Sequence, residues 1–153
     1  MLDDRSFRDA MGKFATGITV VTTKDNDDVI GMTVNAFMSI SLDPKLIAIS
    51  IGEQAAMYHT LQKTKKFGVS ILTEDQKDLS MIFAKQIEKD REIDYVYQNG
   101  IPVINDTLAT ISCSVKDMFK AGDHMIFIGE VSDLTVNEGK PILYFDGEYQ
   151  KID

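Results

Sequence analysis

The apolar residues of the chain fall into short runs that have two different periods. Near the start, four of them have the i, i+3, i+4, i+7 spacing of an amphipathic helix: Phe7, Ala10, Met11 and Phe14. Asp3 or Asp4 precedes them, where a helix cap is expected. Segments 55–64 and 75–84 also have helical spacing. The pattern therefore predicts two or three short helices.

The other runs are typical of strands, because they are rich in β-branched residues or alternate between apolar and polar positions. The predicted strands are 18–23, 29 to about 35, 46–51, 67–72, 110–118, 125–136 and 141–145. A polar turn at 24–28 joins the first two strands, and Gly17 and Gly122-Asp123 mark other turns. The charged stretch 85–100 is predicted to be irregular.

The order of these elements indicates the fold class. Strands follow one another directly, and helices separate only some of them. This order favours a mainly β fold, an antiparallel barrel of six or seven strands with helical insertions, over a doubly wound parallel sheet. With 153 residues and no Pro/Gly/Ser-rich linker, residues 1–153 are expected to form a single domain.

Charge and composition restrict the partners. The formal net charge of −8 argues against nucleic acid and anionic membranes, which bind basic surfaces. There is no run of about 20 apolar residues and no secretory signal pattern. The one cysteine, Cys113, cannot form an internal disulfide and lies on the apolar face of its predicted strand. We therefore expect a cytoplasmic protein with Cys113 buried.

The common catalytic motifs are missing from the sequence. It has no GxGxxG after a strand, no GxxxxGK[ST] and no GxSxG. His59, His124 and Cys113 do not have metal-ligand spacing, so no metal site is predicted. Residue patterns alone therefore predict a β-rich domain and leave its ligand open.

Five stretches of sequence together resemble the flavin reductase-like family of FMN-binding split barrels. They are FRDAMGKFATGITVVTT (7–23), GMTVNAFMSISLDP (31–44), FGVSIL (67–72) with DLSMIFA (78–84), GDH with IFIGEV (122–131), and PILYFDGEY (141–149). They follow the family's order and spacing over nearly the whole chain. The family includes the small reductase components of two-component flavin monooxygenases.

The resemblance implies a flavin site formed by residues in or next to the matching stretches. Along the ring edge it implies Thr33, Val34, Asn35 and Ala36. At the ribityl chain or phosphate it implies Ser39, Ser50, Ile51 and Gly52, with Lys85 as the phosphate's positive charge and Phe83 near the ring or an adenine. The hydroxyl of Ser41 is a further candidate for hydrogen bonding to the flavin. For the NAD(P)H side it implies His124 and Tyr149, of which His124 is the one candidate catalytic side chain. Each residue also has an ordinary alternative role in a strand, turn, helix end or core.

The function that the resemblance implies is hydride transfer from NADH or NADPH to FMN or FAD. It also implies a homodimer with flavin sites at the subunit interface, and a separate monooxygenase that uses the reduced flavin. Two alternatives stay open. One is an electron carrier or redox sensor that retains its FMN, and the other is an enzyme resembling pyridoxamine-phosphate oxidase on the same barrel.

Overall fold

A computed structural model describes residues 2–153, which form three α-helices and twelve strands. The helices are α1 (Asp4–Gly12), α2 (Ala56–Thr64) and α3 (Lys77–Phe83), the last preceded by a 3₁₀ turn at Glu74–Gln76. The strands are β1 (Thr16–Gly17), β2 (Thr19–Asp25), β3 (Asp28–Val34), β4 (Phe37–Leu42), β5 (Lys45–Gly52), β6 (Lys66–Ile71), β7 (Tyr95–Gln98), β8 (Ile101–Ile104), β9 (Ala109–Ala121), β10 (His124–Val136), β11 (Ile142–Phe145) and β12 (Glu148–Lys151).

Seven of the strands form one antiparallel sheet in the order β3-β2-β6-β9-β10-β5-β4. Its two edge strands, β3 and β4, are consecutive in the chain and are joined only by Asn35 and Ala36. This short connection brings the two ends of the sheet together, so the sheet curls into a barrel. The predicted mainly β, antiparallel fold is confirmed.

The interior of the barrel is filled by side chains. Buried residues from opposite parts of the sheet share one core, among them Val34, Ile49, Phe67 and Phe127. The Phe67 ring lies so close to Gly129 that a Cβ atom built there would come within 2.7 Å of its Cζ atom. A ligand of cofactor size therefore has to bind outside the barrel.

A second core lies on the other side of the sheet, where smaller elements cover it. Ile18, Val20 and Leu72 pack there against Ile104 of β8 and Ile142 of β11. In the three-stranded sheet β1-β11-β12, Thr16 of β1 pairs with Tyr144 of β11. The beginning and the end of the fold are thus held together.

All three predicted helices are present, and α1 begins as the sequence indicated. The Ser6 amide donates a hydrogen bond of 2.7 Å to the Asp3 carboxylate, so Asp3 caps the helix. The predicted 24–28 turn is the tight connection between β2 and β3, where Asn26 has a φ of 57°. Cys113 is buried as predicted, and burial raises the pKa of its thiol to about 12. None of the helices in residues 2–153 is long and apolar enough to span a membrane.

Five strands were not predicted: β1, β4, β7, β8 and β12. The prediction of an irregular 85–100 stretch is wrong in part, because β7 pairs with β8 as a hairpin. Gly17, predicted to lie in a turn, belongs to the short strand β1. Strand β9 also extends beyond the predicted 110–118. Strands β4, β7 and β12 have no buried apolar residue, so alternation gives them little signal. Strand β8 is fully buried, but it has only four residues and contains Pro102, which disfavours a strand assignment.

Candidate functional site

A cavity of about 430 Å³ lies beside the edge strand β3, between the start of α2 and the end of α3. Residues 30–33, 54–57 and 83–85 line it. Its volume lies within the range of sites that hold small molecules and cofactors. Three residues implied by the family resemblance meet there: Thr33, Phe83 and Lys85.

The Phe83 ring forms one wall of the cavity by lying directly against Gly31. A Cβ atom at Gly31 would come within 2.5 Å of Cε1 of Phe83, so the missing side chain is what allows this contact. Sequence reasoning did not identify Gly31 as part of the site. A glycine two residues before the TVNA segment was the available signal.

Lys85 has an unusual backbone conformation at the end of α3. Its φ is 59°, in the left-handed region that glycine prefers. The Lys85 amide donates to the Ile82 carbonyl and the Gln86 amide donates to the Met81 carbonyl, which is the hydrogen-bond pattern of a Schellman motif. This turn places the lysine, the residue with the positive charge, at the cavity.

The opposite wall includes the N-terminus of α2, which sequence reasoning also missed. Ala55 is the helix cap and makes no side-chain capping hydrogen bond. The N–H groups of a first helical turn have no partner inside the helix and favour an anion. Gln54, Ala55 and Ala56 all line the cavity. The absence of a Ser, Thr, Asp or Asn cap was the signal available in the sequence.

The Asn35-Ala36 connection between the two edge strands has its carbonyl groups engaged. The Phe37 amide donates to the Asn35 carbonyl (2.9 Å), and the Ser50 amide donates to the Ala36 carbonyl (3.1 Å). N–H donors are therefore what this connection can best offer a ligand. Asn35 also lines a second cavity of about 320 Å³, beside Thr16, whose buried hydroxyl has no hydrogen-bond partner within residues 2–153.

The remaining implied flavin residues lie farther along the barrel wall. The side chains of Val34 and Ile51 are buried in the barrel core, so a ligand could meet only their backbone. Ser39 and Ser41 lie on β4, on either side of a register shift against β5. None of these four lines the 430 Å³ cavity.

His124 lies beside Gly52, its partner in the pairing of β10 with β5. Nδ1 of His124 is 2.8 Å from Oδ1 of Asp123, a hydrogen bond that the carboxylate accepts. This hydrogen bond lowers the pKa of Asp123. Nε2 is on the side of Gly52, 3.5 Å from where a Cβ atom would lie. The Glu53 amide donates to the Asp123 carbonyl, which ties this corner to the segment leading into α2.

Tyr149, implied for NAD(P)H, is packed against α3. Its hydroxyl is 2.9 Å from Oγ of Ser80, and the Thr33 hydroxyl donates to the Ser80 carbonyl (2.6 Å). Ser80 was not identified from the sequence. Within residues 2–153, no group of three or more His, Cys, Asp or Glu side chains is arranged to hold a metal ion.

Comparison with known proteins places this geometry in a family. Residues 11–153 match the family model described as flavin reductase like domain. The NADH-dependent flavin reductase of a Rhodococcus species is 37% identical over 149 residues, covering 95% of this chain and 85% of that protein. The reductase component of the flavin-dependent trigonelline monooxygenase of Acinetobacter baylyi is 41% identical over 151 residues. That match covers 95% of this chain and 48% of the Acinetobacter protein, so the chain spans about half of that relative.

A solved structure agrees with both matches. The flavin reductase PheA2 in its native state superposes with a TM-score of 0.97 and is 54% identical, with 99% of each chain covered. The matched residues include β3, α3 and the whole 430 Å³ cavity. The chain therefore belongs to the flavin reductase-like family.

Proposed function

We propose that this protein is an NAD(P)H-dependent flavin reductase that binds FMN or FAD in the cavity beside β3. One observation carries the proposal. Lys85 is held in a left-handed conformation at the end of α3, where its positive charge and the uncapped N-terminus of α2 line the same cavity. Both features suit a phosphate group, and the Phe83 wall suits a flat aromatic ring.

The residues present fit the parts of a flavin nucleotide. Lys85 and the first-turn amides of α2 bind the phosphate in this proposal. Amide N–H groups at Asn35 and Ala36 donate to acceptor atoms on the ring edge. The Thr33 hydroxyl already donates to Ser80, so it orients the wall and can only accept from a ligand. For Ser39, Ser50 and the backbone of 51 and 52, contact with the ribityl chain or phosphate stays a prediction. Contact of Ser41 with the flavin and of the Val34 backbone with the ring edge also stays a prediction.

A bound flavin supplies a ring that can take up a hydride from the reduced nicotinamide. The protein's task is to align the two nucleotides and to exclude water, so no side-chain acid or base is required. His124 is proposed to contact the nicotinamide nucleotide. Its hydrogen bond to Asp123 fixes the ring, with Nε2 on the side of Gly52. Tyr149 was also predicted to contact this nucleotide, but its hydroxyl is 2.9 Å from Oγ of Ser80, and we assign it to the packing of α3.

The proposed partners follow from the named relatives. A separate flavin-dependent monooxygenase would use the reduced flavin, as the name of the Acinetobacter relative indicates for that protein. We also propose that residues 1–153 act as one domain, that two copies form a homodimer, and that the protein works in the cytoplasm. The exposed apolar residues of β4 support the homodimer.

NADH oxidation at 340 nm, in air, with and without added FMN or FAD, tests the function. We expect oxidation that saturates with added flavin, and a parallel run with NADPH gives the nucleotide preference. If protein that binds flavin oxidises neither NADH nor NADPH, the carrier or sensor is supported instead. Conversion of pyridoxamine phosphate, without flavin-dependent NADH oxidation, would favour the oxidase-like alternative.

A further inference from the structure

We propose that Ser80 and Tyr149 are positioning residues for flavin binding: they set where α3 lies against β3, and so where Phe83 and Lys85 stand in the cavity. This inference rests on the proposed function, because it assumes that the cavity beside β3 is the flavin site. Neither residue lines the cavity, so neither is proposed to touch the flavin.

Ser80 is a buried polar residue with both of its oxygen atoms engaged. It is 1% exposed, and its Oγ atom is 2.9 Å from the Tyr149 hydroxyl. Its carbonyl oxygen accepts from the Thr33 hydroxyl at 2.6 Å and from the Ala84 amide at 3.0 Å. One residue of α3 is thus hydrogen-bonded to β12 on one side and to β3 on the other.

Tyr149 is itself held in place, so it can act as a fixed point. Its ring meets the ring of Tyr144 edge to face, with centroids 5.4 Å apart. The Lys77 ammonium lies 5.3 Å from the centre of the Tyr149 ring. Lys77 is the first residue of α3, so Tyr149 contacts this helix at two points along its length, Lys77 and Ser80.

The position of α3 matters because the cavity wall follows directly from it. Phe83 comes three residues after Ser80, and Lys85 comes two residues later at the helix end. The Thr33 hydroxyl that anchors Ser80 comes from a residue that also lines the cavity. A small shift of α3 along β3 would therefore move the aromatic wall and the positive charge together.

Two single variants and their combination test the role. Y149F and S80A each leave one buried hydroxyl without its partner, whereas the double variant removes both groups. We expect each single variant to lower Tm and to weaken FMN binding about tenfold, measured by quenching of flavin fluorescence. In the double variant we expect Tm to recover while the FMN Kd stays raised. The kcat at saturating FMN should stay near the wild-type value in all three.

A control separates positioning from general destabilisation. Like Ser80, Ser112 is a buried serine whose hydroxyl has a side-chain partner: its Oγ atom is 3.2 Å from Oγ of Ser132. Unlike the residues of the proposed site, it lies away from the cavity. S112A should lower Tm without changing the FMN Kd. Recovery of the wild-type FMN Kd in the double variant, or an unchanged Kd in Y149F, would overturn the proposal. If S80A does not fold, Y149F decides alone, because it removes one oxygen from a half-buried side chain.

Assays of the wild-type protein distinguish failure of the positioning proposal from failure of the proposed function. Wild-type protein that neither binds FMN nor oxidises NADH in its presence would contradict the flavin reductase function itself. A wild type that does both, with variants that bind FMN equally well, would contradict only the positioning role of Ser80 and Tyr149.

Discussion

At the scale of single residues, the two lysines that end α2 and α3 make an informative pair. Lys65 directly follows α2, and Lys85 follows α3 after the single residue Ala84. Both have left-handed backbones, with φ values of 56° and 59°. Glycine adopts this conformation without the steric cost that a side chain brings. Only Lys85 lines the 430 Å³ cavity, so only there would the proposed contact with a phosphate compensate for the backbone strain.

The variant K85G should therefore stabilise the folded protein and weaken its binding of FMN. Relief of left-handed strain should raise Tm by about 2–4 °C, since it corresponds to about 1 kcal/mol in a chain of this length. Loss of the charged partner should raise the KM for FMN about tenfold. Thermal unfolding and steady-state NADH oxidation measure the two effects.

K65G is the matched control for this prediction. It should raise Tm by a similar amount and leave the KM for FMN unchanged, because Lys65 lies outside the cavity. K85A should raise the KM without the gain in Tm. Equal KM values in K85G and K65G would mean that Lys85 does not contact the flavin.

At the scale of elements, the packing of α3 on β3 depends on Gly31, which has no side chain. Gly31 lets the Phe83 ring lie against the strand, and the Thr33 hydroxyl then reaches the Ser80 carbonyl. Strand and helix thus meet through one aromatic ring and one hydrogen bond, on the wall of the cavity. Any atom added at Gly31 has to move that ring.

We expect G31A to push the Phe83 ring toward the cavity. The added methyl group should destabilise the protein by about 1–3 kcal/mol, as overpacking usually does, and should raise the KM for FMN several-fold. Thermal unfolding and the FMN dependence of NADH oxidation test both effects. At Gly12 an added Cβ would be 3.7 Å from the Asp146 Cα, an ordinary contact, so G12A should keep the wild-type KM. An unchanged KM in G31A would show that the ring can shift without affecting the site.

Three of the predicted strands, β2, β5 and β6, have continuous buried stretches, and their positions were close to the prediction. Strand β10 has only two buried residues and was predicted from its long apolar run. Strand β12 was missed because its four residues are mostly polar, and only Tyr149 turns inward. In the site, Thr33, Phe83 and Lys85 were identified through the family resemblance. Ser80 and the α2 N-terminus were not, since their relevance comes from contacts with residues far away in the chain.

At the scale of the whole molecule, the outer side of β4 is unusually apolar. Met38, Ile40 and Leu42 are 58%, 42% and 81% exposed, on a strand at one edge of the seven-stranded sheet. An exposed apolar edge strand is a common site of association, because it offers both apolar area and unpaired backbone groups. We call these three residues the β4 face and propose that the homodimer buries it.

Sedimentation equilibrium tests this assignment. The wild type should have twice the chain mass of 17.1 kDa. I40D and L42D should shift the equilibrium toward the monomer, because burying a carboxylate in an apolar contact is costly. L2D introduces the same charge at a residue that is 76% exposed and lies outside the β4 face, and it should remain dimeric. A dimer that both β4 variants retain would place the interface elsewhere.

The hydrogen bond between Ser80 and Tyr149 joins residues 69 positions apart, and the ion pair between Lys13 and Asp146 spans 133 positions. Contacts between such distant residues close large loops, and the chain loses entropy before such a contact can stabilise the fold. We therefore expect the wall of the proposed flavin pocket to be complete only in molecules whose C-terminal strand β12 has docked on α3. A ligand bound there would stabilise these completed molecules by mass action.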